Sequence, residues 1–137
     1  MIRPLCYSDT DVFIVCFSVV CPSSFENVTE KWVPELRSKC PDAAMVLVGT
    51  QSDLRRDARV LLQLARNREA PVAAAKARDL ARRHGMVTYV ETSALTQTDL
   101  KEAFDQAIVC ALTRKGRIVK PKGLHKKPLW RKLCCIN

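Results

Sequence analysis

Apolar positions along this chain come in two patterns, continuous runs and helical stripes, and the two alternate. Asp11 to Val20 reads D-V-F-I-V-C-F-S-V-V, an almost unbroken β-branched and aromatic run. A strand buried on both faces reads that way, and such strands belong to parallel sheets. Cys21-Pro22-Ser23-Ser24 follows as a helix start, with proline tolerated in the first turn. Phe25, Val28, Trp32 and Leu36 then recur at helical spacing, and Pro34 inside that stripe deprives the Glu30 carbonyl of a donor, which predicts a kink. After the Cys40-Pro41-Asp42 break, Ala44 to Gly49 is a second short buried strand. The charged stretch Arg55 to Arg68 carries Val60, Leu61, Leu62 and Leu64 and predicts a short surface helix. Pro71 opens a helix over Ala73 to His84, with Gly85 placed to cap it in the left-handed conformation. Val87 to Glu91 is a third strand. Thr96-x-x-Asp99 has the spacing of a capping box, and Leu100, Phe104, Ala107, Ile108 and Ala111 give the last helix its core stripe.

The order strand, helix, strand, helix, strand, helix predicts an α/β fold built of right-handed βαβ units on a parallel sheet. With 137 residues there is room for one modest domain. Charge divides the chain in two. Residues 115–137 hold eight Lys/Arg and no acid, almost all of the net +9, whereas residues 1–114 are nearly neutral. The tail is rich in Lys, Pro and Gly and predicts disorder in solution. Nucleic-acid binders spread basic charge over a folded face, and only Trp130 offers a stacking surface in the tail, so nucleic acid is not the expected partner. A basic tail beside terminal cysteines points to an anionic membrane surface instead. Leu129, Trp130, Leu133 and Ile136 recur at helical spacing among Lys126, Lys127, Arg131 and Lys132, an interfacial pattern. The seven cysteines are scattered, with no C-x-x-C pair, so they make a poor disulfide framework and the cytosol is the expected compartment. Neither His84 nor His125 stands in a nucleophile or zinc-ligand pattern.

Candidate chemistry lies where open α/β sheets bind ligands, beyond the carboxyl ends of the strands. Gly49-Thr50-Gln51-Ser52-Asp53 follows the second strand and Glu91-Thr92-Ser93-Ala94-Leu95 follows the third. A carboxylate such as Asp53 accepts two hydrogen bonds side by side, which suits the N1–H and exocyclic NH2 of guanine; adenine offers no such pair. The Ala94 N–H is placed to donate to guanine O6. Taken alone, Ser52-Asp53 is ordinary turn chemistry.

Thr50-Gln51-Ser52-Asp53 resembles the T/N-K-x-D motif of Ras-superfamily GTPases, and Ser93-Ala94-Leu95 resembles their S-A-K/L motif. Tyr7 to Asp11, Phe17-Ser18-Val19, Ser24 to Val28, Lys31 to Glu35 and the charged segment Arg55 to Pro71 are similar to Rho GTPases, the last resembling the Rho insert helix. Gln51 in the lysine position and the ending Trp130-Arg-Lys-Leu-Cys-Cys135 look most like the atypical Wrch/Chp branch. The resemblance implies the C-terminal part of a P-loop GTPase fold over residues 1–114, with Thr50, Gln51, Asp53, Ser93, Ala94 and Leu95 around guanine. It implies GTP or GDP with Mg2+ as ligands of the complete family protein and Rho-type effectors and regulators as partners. It implies palmitoylation of Cys134, Cys135 or both or, second, prenylation of Cys134, and the cytoplasmic face of the plasma membrane or endomembranes as the location.

The chain also departs from that family. Its four glycines, Gly49, Gly85, Gly116 and Gly123, begin no G-x-x-x-x-G-K-[ST], and no aspartate is followed three positions later by glycine. The phosphate cradle, a metal ligand set and catalytic residues are therefore absent from these 137 residues. The expectation is an N-terminally shortened chain that does not hydrolyse GTP by itself, with an exposed edge on the Asp11 to Val20 strand. The rival expectation is a non-catalytic, nucleotide-free, membrane-tethered interaction protein.

Overall fold

The computed structural model describes residues 7–114 and, as backbone, residues 133–136. Four parallel strands form one sheet in the order β3-β2-β1-β4: β1 is Val12–Ser18, β2 Ala44–Thr50, β3 Tyr89–Glu91 and β4 Leu133–Ile136. Helices α1 (Pro22–Asn27) and α2 (Val33–Lys39) connect β1 to β2. Helices α3 (Ala58–Arg66) and α4 (Ala74–Arg83) connect β2 to β3, and α5 (Leu100–Arg114) follows β3.

The continuous runs of β1 and β2 form central strands because both their faces are covered. Phe13, Val15, Phe17, Met45 and Leu47 point into a cluster with Phe25, Val28, Trp32 and Leu36 from the α1–α2 segment and Ala77 and Leu80 from α4. Val12, Ile14, Ala44, Val46 and Val48 point the other way, against Ala103 and Ala107 of α5. Alternation along a strand sends successive side chains to opposite faces, so the sheet is sandwiched as a doubly wound fold requires.

Pro34 leaves its mark as a change of helix type. The turn Val28–Trp32 is π-helical, and the Val33 N–H reaches back five residues to the Val28 carbonyl. The widened turn absorbs the missing Pro34 donor while keeping Val28, Trp32, Val33 and Leu36 buried. Gly85 caps α4 at φ +62° as expected, and the Met86 N–H bonds the Ala81 carbonyl at 2.8 Å.

Three expectations are corrected. The segment from Arg55 is not one helix: Ser52–Arg56 is a 3-10 turn, and α3 starts afresh after Asp57, whose carboxylate accepts from the Arg59 and Val60 N–H groups at 2.9 and 3.1 Å. Thr96 and Asp99 form no capping box, because α5 begins only at Leu100. Thr96 Oγ1 pairs with Thr98 Oγ1, and Asp99 takes φ +50°. Leu133–Ile136 is a strand, not part of a helical interfacial segment, and it pairs the outer edge of β1 that was expected to stand exposed. The remaining tail expectations, on residues 115–132 and 137, lie outside the described residues.

Candidate functional site

Two loops leave the sheet side by side at the carboxyl ends of β2 and β3. The first is anchored before it turns: Thr50 Oγ1 donates to the Phe17 carbonyl at 3.1 Å, and the Val19 N–H donates to the Thr50 carbonyl at 3.1 Å. Gln51 then adopts φ +59°, a left-handed conformation uncommon for a side-chain-bearing residue. That single residue swings the chain off β2 and into the 3-10 turn that carries Asp53. The Gln51 carboxamide oxygen accepts from Ser18 Oγ at 2.6 Å, which ties the loop to the end of β1.

The second loop is stitched to the first. The Thr92 N–H donates to the Gly49 carbonyl at 2.7 Å, and the Ser52 N–H donates to the Thr92 carbonyl at 3.1 Å. Ser93 is fully buried. Its hydroxyl donates to Asp53 Oδ1 at 2.5 Å and accepts from the Thr96 N–H at 3.1 Å. A buried hydroxyl with both roles used is locked, and it locks its acceptor in turn. The structure therefore brings Asp53 and Ser93 together across 40 residues of sequence. Ala94 and Leu95 follow on the exposed side, and Leu95 is 81% exposed.

Arg55 and Glu91 were missed as site residues in the sequence. Arg55 Nε and Nη2 grip the two Glu91 oxygens at 2.9 and 2.6 Å, and the Tyr89 hydroxyl donates to Glu91 Oε1 at 2.8 Å. This fork joins the 3-10 turn to the end of β3, so the two loops are clamped by a charged pair as well as by Ser93. Burial raises the Glu91 carboxyl, but the hydrogen bonds from Arg55 and Tyr89 and the Arg55 charge outweigh it and hold the group below its ordinary value. The hydrogen bond to Glu91 raises Arg55, and burial raises the Tyr89 phenol well above its ordinary value. The signal was available in outline: opposite charges stand two residues after Asp53 and two before Ser93.

Ionised carboxylates offer about four lone-pair sites, so accepting one bond from Ser93 leaves Asp53 able to receive a donor pair from a ligand. What the loops provide is a half-buried oriented acceptor at Asp53, an exposed apolar side chain at Leu95 and an exposed amide at Gln51. Among the described residues, no group of three His, Cys, Asp or Glu stands together in a way that could hold a metal ion. A hollow of about 460 Å³ lies elsewhere, along β3 between Arg78 of α4 and Glu102 of α5. It touches the site only through Glu91 and Tyr89.

Residues 1–113 match the sequence profile of the Ras family. The chain is also 51% identical over 141 aligned residues to the Rho-related GTP-binding protein RhoV of Homo sapiens, and equally so to those of Bos taurus and Mus musculus. The alignment covers 98% of this chain and 60% of each relative, so the chain spans somewhat under two thirds of the length of the relatives it matches.

Proposed function

Because this chain belongs to the Ras family of small GTPases, on its Rho-related side, we propose that the loops after β2 and β3 are the guanine-reading part of a guanine-nucleotide site. The observation that carries the reading is the Ser93 to Asp53 bond, made at the carboxyl ends of two adjacent parallel strands. In this reading Asp53 accepts the N1–H and exocyclic amine of guanine, and Ser93 holds the carboxylate in the plane of the base. Ala94 donates its N–H to O6. Leu95, Gln51 and Thr50 flank the ring, Gln51 with a shorter stem and no charge where the family usually has lysine. GTP or GDP with Mg2+ is the ligand in a complete family site. The phosphate and metal contacts are not made by these 137 residues, so they position the base only. Tail residues 115–137 add membrane attachment through Cys134 and Cys135, and Rho-type effectors and regulators are the partners.

A second reading is supported by the lack of any glycine-rich phosphate loop in the sequence. In it, the chain is a nucleotide-free interaction protein tethered to a membrane, presenting the π-kinked α1–α2 segment and α3 without switching.

Titration of the purified chain with fluorescent GDP and GTP analogues tests the two. Phosphate and metal contacts carry most of the affinity and all of the catalysis in such sites. The expected result is weak, guanine-preferring binding with no Mg2+-dependent turnover. Micromolar or tighter binding with turnover would overturn the assignment of these loops as base-positioning elements only. Joined to the phosphate-loop segment of a Rho-type GTPase, Asp53→Asn should move preference from guanine to xanthine nucleotides, because an amide cannot accept both guanine donors. The loss for guanine is about 1.5–3 kcal/mol, roughly one to two decades in affinity. An Asn variant that keeps its guanine preference would reduce Asp53 to a turn residue.

A further inference from the structure

We propose that α3 is a membrane-contact element within the folded domain, whose exposed leucines enter an anionic leaflet while its arginines pair with the lipid phosphates and carboxylates. The site is separate from residues 115–137 and does not rest on the reading of those residues or of the guanine loops.

The fold uses little of α3. Of its nine residues only Leu64 is buried, with Val60 half-buried beside it. Leu61 and Leu62 are 38% and 63% exposed. Two residues at about 100° each place Leu62 on the far side of the helix from Leu64, and Leu61, Ala65 and Ala58 fill the arc between them. Packing against the domain therefore accounts for one border of the apolar stripe and leaves the rest in solvent. A single surface leucine needs no explanation. A stripe that runs on from the core across the outer side of a helix has the form of an interaction site.

Charge decides what covers it. Arg59, Leu62 and Arg66 follow one another at i, i+3 and i+7, so the outward leucine has an arginine on each side. Arg59 and Arg66 are exposed, as are Arg56 and Arg68 at the two ends. Among the described residues, no carboxylate pairs with any of the four. Residues 55–68 carry five arginines and one aspartate, net +4, whereas the rest of residues 1–114 carries ten Lys/Arg against thirteen Asp/Glu, net −3. The domain's positive excess thus sits on the same segment as its uncovered leucines. A helix of that make lies in the plane of an interface, with its leucines among the acyl chains and its arginine stems along them, heads at the phosphates. A protein groove is the poorer match. Helices that dock in grooves key them with large side chains at i, i+3, i+4 and i+7. Here the outer two of those positions are Ala58 and Ala65, and a fluid leaflet needs no matching pockets.

Hydrogen exchange on the purified 137-residue chain tests the contact. Vesicles of phosphatidylserine mixed with phosphatidylcholine should slow exchange of the α3 amides at least about fivefold, and vesicles of phosphatidylcholine alone should not. In co-sedimentation with the mixed vesicles, Leu61→Ser with Leu62→Ser, and separately Arg59→Gln with Arg66→Gln, should each weaken binding at least about fivefold. An unchanged thermal midpoint shows that either pair leaves the fold intact. Changing Lys126, Lys127, Arg131 and Lys132 to Gln strips the tail of charge, and α3 should still be protected in that variant at raised vesicle concentration. Protection that vanishes there overturns the proposal. Protection confined to residues outside α3, with both α3 variants binding like the parent chain, overturns it too and leaves tail attachment standing. Equal protection by phosphatidylcholine alone also overturns it, since the arginines would then select nothing. Protection of α3 by poly-L-glutamate but not by the mixed vesicles would assign the face to an acidic protein and overturn the lipid assignment.

Discussion

A methyl group at Gly49 would stand 2.5 Å from the Tyr89 hydroxyl oxygen and 2.8 Å from Val19 Cγ1. Neither neighbour can retreat cheaply. Tyr89 is tied to Glu91, which is tied to Arg55, and Val19 is fully buried. Gly49→Ala should therefore destabilise the fold by about 1–3 kcal/mol, read from urea unfolding. A change within experimental scatter would show that Tyr89 moves freely and that the clamp between the loops is loose. The position of Asp53 in the loop after β2 was legible in the sequence because its segment is contiguous. Its partner role with Ser93 was only half legible, since a hydrogen bond across 40 residues has no local signature. Gln51 was read as a base-flanking stem, yet its carboxamide is tied to Ser18. Here the Gln51 amide oxygen takes the acceptor role and the Ser18 hydroxyl the donor role.

Among the elements, the link between the 3-10 turn and β3 responds to acid. The Glu91 carboxyl is held below the ordinary value of 4.5. A depressed carboxyl contributes stability that is present above its unfolded value and is lost as pH falls through its folded value. The thermal midpoint should fall as pH drops below 4.5, and Glu91→Gln should lower the midpoint at neutral pH and flatten that acid limb. Both side chains of the pair are about one quarter exposed, so solvent screening trims the effect to about 1–2 kcal/mol. An acid limb identical in the variant would place the titration elsewhere. Asp57 separates the turn from α3 by capping the helix. Asp57→Ala should cost about 1 kcal/mol, and circular dichroism should show reduced helicity. The cap escaped the sequence reading because the charged run from Arg55 to Arg68 masked a boundary in its middle. The reverse happened at Thr96-x-x-Asp99, where cap spacing was present but Asp99 turned left-handed before the helix began. The strands and helices were otherwise legible in order, because continuous runs and 3.6-residue stripes report burial on two faces or one.

For the whole molecule, the decisive asymmetry is between a nearly neutral sheet domain and residues 115–137, with eight Lys/Arg and no acid. Each basic residue near an anionic leaflet contributes about 1 kcal/mol, and an acyl chain adds about 0.8 kcal/mol per buried CH2. A soluble reporter carrying residues 115–137 should therefore move to cytoplasmic membrane faces in cells. Changing Cys134 and Cys135 to Ser should release it, and neutralising Lys126, Lys127, Arg131 and Lys132 should weaken it in a salt-dependent way. A cysteine-free tail that stays on membranes would show that acylation is not the anchor. The strand at Leu133–Ile136 was illegible for a simple reason. Four apolar residues fit a helical stripe and a strand equally well, and only pairing with a distant strand decides between them.

The pairing of Val12 with Leu133 also sets a clock on synthesis. β1 leaves the ribosome before β4 does. At translation speeds of roughly 5–20 residues per second, the two are separated by about 6 to 24 s. Throughout that interval β1 lacks its pairing with β4. Trigger-type holdases and neighbouring chains on the same messenger compete for it then, and translation speed through the last hundred codons becomes a determinant of how much protein reaches its final form.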